Sequence, residues 1–138
     1  MKHFILCLFL LISFYASAQQ QENPCNSPKL ELYGAQNELL PEGTMPRGTV
    51  KLVVKNNPKC TREITFEVVR AKVYYVRGTR PLAYVEVNGQ NVDFTDWEGA
   101  YKPGDRILFE ILDVNYTFSD GKKGRFPGAV MENWVFKE

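Results

Sequence analysis

Short β-favouring runs separated by frequent turn residues constrain the fold of this chain more than any other feature of its sequence. Turn signals recur about every 8–12 residues, and no sustained apolar period of 3.6 residues is present. This pattern predicts an all-β fold, a single antiparallel β-sandwich of about seven or eight short strands, with a small barrel as the alternative. The expected strands are 29–33, 49–55, 60–77, 82–87, 90–94, 106–114 and 129–136.

The run at 60–77 contains two alternating sets of apolar side chains with opposite phase. They fall on even positions in its first half and on odd positions in its second half: Ile64, Phe66 and Val68, then Val73 and Tyr75. Because neighbouring side chains of a strand point to opposite faces, an unbroken strand cannot place both sets on one face. The sequence therefore predicts a β-bulge or bend near residues 69–71.

Two dipeptides predict hairpins. The Asn-Gly pair at 88–89 can supply the two positive φ angles of a type I′ turn, and it would join strands 82–87 and 90–94. The Asp-Gly pair at 120–121 predicts a second hairpin before the last strand.

The first eighteen residues have the organisation of a cleavable signal peptide. Lys2 and His3 precede an apolar run at 4–15, and the small residues Ala-Ser-Ala follow at 16–18. The apolar run is shorter than the roughly 20 residues of a transmembrane helix, and no later segment approaches that length. We therefore expect an exported protein, periplasmic or secreted, that does not insert into a membrane.

Behind the signal peptide (1–18) we expect a polar, proline-containing arm at 19–28 and one β-sandwich domain at 29–138. Of the three cysteines, Cys25 and Cys60 remain after signal removal. An isolated pair in an oxidising compartment favours an intramolecular disulfide. Two free thiols, or a disulfide shared between two protomers, are the alternatives.

The residues that most catalytic and metal sites need are scarce in the mature chain. The only histidine, His3, leaves with the signal peptide, which excludes histidine-dependent nucleophilic sites and histidine-ligated metals. The loss of Lys2 cancels the net charge of +1, so no nucleic-acid or membrane-surface partner is implied. No phosphate-binding glycine motif is present. We therefore expect no enzyme, no cofactor and no metal.

Aromatic and arginine side chains recur between residues 74 and 84. These residue types are enriched at protein interfaces. The candidate protein-binding residues are Tyr74, Tyr75, Arg77, Arg80 and Tyr84. A structural role is the alternative, because tyrosines on half-buried strands commonly cover the edge of a core while arginines stay solvated.

A second candidate site consists of carboxylates around a tryptophan, namely Asp93, Asp96, Trp97 and Glu98. These side chains could bind a carbohydrate or calcium, or act as the carboxylates of a hydrolase. Ordinary solvation of a loop is the alternative, because calcium loops usually space their acidic residues more closely and include a glycine.

Three segments carry a family resemblance. They are Ile64-Thr-Phe-Glu-Val-Val69 with Arg77-Gly78 and Pro81 after it, Lys102-Pro-Gly-Asp-Arg-Ile-Leu-Phe-Glu110, and Asp120-Gly121-Lys122. In order and type they are similar to the bent strand, the turn and the closing hairpin of the C-terminal β-domains of the GldM family, periplasmic gliding-motility proteins of the type IX secretion machinery of Bacteroidetes.

The resemblance to the GldM family covers about residues 48–138. It implies an immunoglobulin-like sandwich that works through contacts with another cell-envelope protein, with a link to gliding motility or type IX secretion. Members of that family carry an N-terminal transmembrane helix and several domains, whereas this chain has a predicted cleavable signal and one predicted domain.

Overall fold

Eight β-strands form within residues 23–137, the part of the chain that the computed structural model describes. The strands are β1 (Lys29–Tyr33), β2 (Thr49–Lys55), β3 (Ile64–Arg77), β4 (Arg80–Asn88), β5 (Asn91–Asp93), β6 (Arg106–Phe118), β7 (Lys123–Arg125) and β8 (Val130–Val135). Two 3₁₀ turns lie at Pro24–Asn26 and Glu98–Ala100, and no helix within residues 23–137 is long and apolar enough to span a bilayer. The predicted signal peptide and residues 19–22 of the predicted arm lie outside the described residues.

The strands form two antiparallel sheets, so the predicted all-β sandwich is confirmed. The smaller sheet has the order β1-β2-β5, and the larger has the order β4-β3-β6. The far edge of β6 is shared by two strands, since β8 pairs with its first half and β7 with its second. In immunoglobulin lettering, β1, β2 and β5 are strands A, B and E, β4, β3 and β6 are strands C′, C and F, and β7 and β8 together take the place of strand G. The two sheets therefore have the orders A-B-E and C′-C-F-G, which is an immunoglobulin-like arrangement.

The core lies between the inner faces of the two sheets and follows the predicted alternation. In β2 and in the first half of β6 every second side chain is buried, while its neighbours are half-buried or exposed. The buried side chains include Val50, Leu52 and Val54 of β2, Ile107, Phe109 and Ile111 of β6, and Val130 and Trp134 of β8. This burial of apolar surface on two facing sheets is the main source of stability in such a fold.

The bend predicted in the third strand is confirmed. The register between β3 and β6 shifts between Val68 and Arg70, and again between Arg70 and Ala71. Val69 has no partner on β6 and is exposed, while Val68 and Ala71 are both buried. The irregularity therefore brings both halves of β3 onto the core face, as the change of phase requires.

The hairpin predicted at residues 88–89 is wrong. β4 pairs with β3 and β5 pairs with β2, so the chain crosses here from one sheet to the other. Gly89 has a positive φ of 94°, but among the non-glycine residues of 23–137 only Asn37 has one, so Asn88 cannot complete a type I′ turn. Instead, Gly78 (φ 59°) and Thr79 form the two-residue turn between β3 and β4. The second predicted hairpin, at 120–121, is confirmed between β6 and β7.

The predicted intramolecular disulfide is confirmed. Cys25 and Cys60 are bonded, with their Cα atoms 4.7 Å apart. Cys25 lies just before β1 and Cys60 just after β2, and these two strands are antiparallel partners. The bond therefore joins the segment that leads into β1 to the segment that leaves β2, at the open end of this strand pair.

Candidate protein-contact surface

Two of the predicted binding residues, Tyr75 and Arg77, belong to a hydrogen-bond network around the carboxylate of Asp105. Asp105 is only 3% exposed. Its oxygens lie 2.5 Å from the Tyr75 hydroxyl and accept hydrogen bonds from Arg77 Nε and Nη2, both at 2.9 Å. The backbone N–H of Lys102 donates a further bond at 3.0 Å. The network thus fixes the turn before β6 to the end of β3.

The network keeps its carboxylate ionised. Hydrogen bonds from the Arg77 guanidinium lower the pKa of Asp105 to about 2, and bonds from Tyr75 and the Lys102 N–H act in the same direction, against the opposing effect of burial. The hydrogen bond to Asp105 in turn raises the pKa of Arg77. Burial raises the pKa of the Tyr75 hydroxyl, and its bond to Asp105 adds to this. Across ordinary pH, Asp105 and Arg77 therefore stay charged and the Tyr75 hydroxyl stays protonated.

The aromatic ring of Tyr75 lies in the core, not on the surface. It is 2% exposed and packs against Trp97 (ring centroids 6.1 Å apart) and Tyr101 (5.4 Å). Its odd position in β3, in phase with Val73, turns it inward. The prediction of Tyr75 as a protein-binding residue is therefore wrong, and Arg77, although partly exposed, is held by Asp105.

Two of the three carboxylates predicted as a ligand site, those of Asp93 and Glu98, accept hydrogen bonds from backbone N–H groups. Asp93 Oδ1 accepts hydrogen bonds from the Thr95 N–H (3.0 Å) and hydroxyl (2.6 Å), which lower the pKa of Asp93. Glu98 Oε1 accepts from the N–H of Gly48 at 2.5 Å. Asp96 is exposed. No three potential metal-ligating side chains lie together within residues 23–137, so these carboxylates form no metal cluster there.

The tryptophan of that candidate site packs into the aromatic cluster. Besides its contact with Tyr75, Trp97 makes an edge-on contact with Phe94 at 5.6 Å between ring centroids. Trp97 is half-buried and Phe94 is fully buried. A ring in contact with two buried aromatic neighbours serves packing more than the stacking of a ligand.

The remaining predicted binding residues lie on the larger sheet, away from the core. Tyr74 and Tyr84 are cross-strand partners on its outer face, and their rings are stacked with centroids 6.0 Å apart. Tyr84 is 67% exposed, and the Tyr74 hydroxyl donates to Glu110 Oε2 at 3.2 Å. Arg80 is exposed at the start of β4, beside the turn. The structure therefore separates the predicted set into two surface tyrosines, one arginine at a turn, and two network residues.

Apolar side chains from β4, β6 and β8 extend the tyrosine pair. Tyr74 is the register partner of Leu108, and the partners of Arg106 and Glu110 on β6 are Val135 and Met131. Because direct partners share a face, these side chains lie on the same side of the sheet. Leu82 has no register partner on β3, but it is exposed and in phase with Tyr84 along β4. We call this set the outer face; its members are Tyr74, Leu82, Tyr84, Leu108, Met131 and Val135.

Sequence reasoning missed four members of the outer face, Leu82, Leu108, Met131 and Val135. A signal for them exists, because each lies out of phase with the core residues of its own strand. Charged side chains lie between them in the register, with Lys72 opposite both Glu86 and Glu110. The outer face is thus an apolar and aromatic surface interspersed with charges of both signs.

Comparison of the chain with protein-family models, with curated proteins and with solved structures gave no match. The resemblance to GldM therefore rests on its three sequence segments and stays a prediction.

Proposed function

We propose that this protein is a non-catalytic, exported module that binds another protein of the cell envelope through the outer face. The observation that carries this proposal is the concentration of exposed apolar side chains. Of the six large ones that residues 23–137 leave exposed, four belong to the outer face: Leu82, Tyr84, Met131 and Val135. Single exposed apolar side chains are ordinary on protein surfaces, whereas clusters of them mark interaction sites.

The chemistry of the outer face suits a protein partner. The stacked rings of Tyr74 and Tyr84 are rigid and can bury a large area at a low cost in side-chain entropy. Lys72, Glu86 and Glu110 would select a partner by charge and hydrogen bonding rather than add much affinity. Such a mixture of aromatic anchors and polar neighbours is the usual anatomy of a protein interface.

The predicted location supports a partner in the cell envelope. A disulfide between Cys25 and Cys60 persists in an oxidising compartment such as the periplasm and is rare in the cytosol. The predicted signal peptide and the segments similar to GldM favour the same compartment. In its narrower form, the proposal links the protein to gliding motility or type IX secretion.

Site-specific photo-crosslinking tests the proposed surface in the native host. A benzoylphenylalanine side chain replaces Tyr84 or Met131 on the outer face, or the exposed Lys55 on the other sheet as a control. The proposal expects adducts of one common mass from positions 84 and 131, in the envelope fraction, and no adduct from position 55. Adducts from all three positions, or from none, would contradict it.

A binding measurement on the captured partner then tests the energetic role of the tyrosine. Tyr84→Ser removes a ring that is 67% exposed, so folding should change little. If the ring anchors the interface, affinity falls about 30-fold, which corresponds to roughly 2 kcal/mol for an interface hot spot. Lys55→Ser serves as the matched control and should bind like the parent protein.

A further inference from the structure

A cleft lined by aromatic rings lies at the end of the larger sheet opposite the Asp105 network. Its volume is about 260 Å³. Four half-buried rings form much of its lining: Phe66, Tyr116, Phe118 and Phe126. They hold one another by edge-on contacts, with centroids 6.1 Å apart for Phe66 and Phe126 and 5.1 Å apart for Tyr116 and Phe118. The rings therefore give the cleft a preformed aromatic wall.

Among the described residues, one cation and no carboxylate line the cleft. The Arg62 guanidinium lies 4.5 Å from the Phe118 ring centroid and forms no ion pair within residues 23–137. Asn23 and Asn26 also line the cleft, and none of its described lining residues is acidic. A cation on an aromatic ring, with no carboxylate among the described lining residues, favours an anionic ligand.

The acidic side chains near this region lie outside the cleft. Glu63 and Asp120 line an adjacent depression, which also includes Arg62 and Phe118. Asp120 approaches Lys122 Nζ at 3.6 Å rather than the arginine. Within residues 23–137 no ion pair therefore cancels the charge of Arg62, and its donors are available to a carboxylate.

Two features hold the walls of the cleft in place before any ligand binds. The disulfide ties Cys25, a lining residue, to Cys60. Across β6 and β7, the Tyr116 ring lies so close to Gly124 that a Cβ there would overlap it. A site whose walls are already ordered loses less conformational entropy on binding.

We infer that this cleft binds the C-terminal residue of a peptide chain when that residue is apolar. The terminal carboxylate would pair with the Arg62 guanidinium, the apolar side chain would lie among the rings, and the preceding peptide carbonyl would face the asparagine amides. The volume supports a single residue, since sites for drug-sized ligands span roughly 300–1,000 Å³. This site uses none of the outer-face residues, so the inference stands or falls independently of the proposed function.

Titration with short peptides, followed by ¹H–¹⁵N NMR of the purified chain, tests the inference. The probe is acetyl-Gly-Phe with a free carboxylate; the comparison probes are its C-terminal amide and acetyl-Gly-Ser. We expect saturable shifts at the amides of Phe66, Phe118 and Gly124, with a dissociation constant on the order of 0.1–1 mM for a ligand of this size. The amide and the serine peptide should each bind about tenfold more weakly, because each lacks one of the two recognised groups.

Matched variants assign the charge recognition. Arg62→Gln should weaken acetyl-Gly-Phe about tenfold while the shifts caused by the amide probe stay the same, and Arg80→Gln, at an exposed position beside the β3–β4 turn, should leave both unchanged. Thermal unfolding of both variants checks that the fold is intact. Absence of saturable shifts, equal binding of acid and amide, or equal effects of the two arginine variants would overturn the inference.

Discussion

Replacing Asp105 with Asn removes the charge at the centre of the network that joins β3 to the turn before β6. The side chain keeps its size, so the packing of the core is preserved. The Tyr75 hydroxyl, the Arg77 guanidinium and the Lys102 N–H, however, then face a neutral amide. The substitution therefore isolates the electrostatic part of the interaction.

The size of the effect follows from the pKa of Asp105, which lies at about 2 in the folded protein against an ordinary value of 3.8. A difference of this size corresponds to about 2.5 kcal/mol of stability contributed by the ionised carboxylate. Removing one member of a fully buried ion pair costs about 3–5 kcal/mol, but Arg77 is 41% exposed, which favours the lower end. We expect Asp105→Asn to lower the free energy of unfolding by about 3 kcal/mol at pH 7.

The pH dependence has a definite sign. The pKa of Asp105 is lowered on folding, so its contribution is fully present above the unfolded-state pKa and is lost as pH falls towards 2. Between pH 5 and pH 2 the parent protein should lose about 2 kcal/mol that the variant cannot lose. The difference in stability between the two proteins should shrink by this amount.

Urea unfolding at pH 7, 5, 3 and 2, followed by the fluorescence of Trp97 and Trp134, measures both effects. Asp120→Asn is the matched control, because Asp120 is exposed and an amide oxygen can still accept the Lys122 N–H; it should cost less than about 0.5 kcal/mol. A difference between parent and Asp105→Asn that does not change with pH, or that equals the Asp120→Asn effect, would refute the electrostatic argument.

Three further predictions concern covalent closure and glycine geometry. Replacing Cys25 and Cys60 together by Ser should lower the free energy of unfolding by about 4 kcal/mol, because the disulfide spans 35 residues; a reductant should destabilise only the parent, and equal sensitivity of both proteins would contradict this. Gly124→Ala should cost about 1–3 kcal/mol in urea unfolding through overlap with the facing tyrosine ring, whereas Gly99→Ala, with open space around it, should be nearly neutral; equal costs would exclude the overlap. Gly78→Ala should cost about 1 kcal/mol because of its positive φ of 59°, and an unchanged melting temperature would show that this turn can relax.

The strands and the core were predictable because a strand's faces are encoded locally. Apolar residues at every second position of β2 and β6 mark the buried face directly. The change of phase in β3 predicted its bulge for the same reason, since a strand has to correct its own register to keep one face on the core.

The prediction of a hairpin at Asn88 was wrong because the residues of a turn do not determine which strand the following strand pairs with. The Asn-Gly pair favours a reversal, but the N–H of Gly89 donates to the carbonyl of Val69 in β3, and β5 pairs with β2. Pairing is decided by which sheet buries the next strand, where Val92 and Phe94 are fully buried. That choice depends on residues far away in the sequence.

The candidate surface was only partly predictable. The inward position of Tyr75 was implied by its phase with Val73, whereas residue type alone suggested an interface. Its bond to Asp105 joins residues 30 positions apart, and no local pattern indicates it. Met131 is visibly out of phase with the core residues of β8, yet the sequence does not say which of the faces remote from the core stays uncovered.

The position of the disulfide has a consequence for folding order. A short hairpin has its register set by its turn, but β1 and β2 are joined by the long connection 34–48, which permits slipped pairings. A slip of one residue would turn Leu30 and Leu32 to solvent. The disulfide at the open end reduces the number of registers in which β1 can pair with β2. Both of its cysteines precede every strand of the larger sheet in the sequence. Once the disulfide has formed, the chain would begin each refolding attempt with β1 and β2 already close to their native register. The remaining conformational search would then concern mainly the strands β3 to β8.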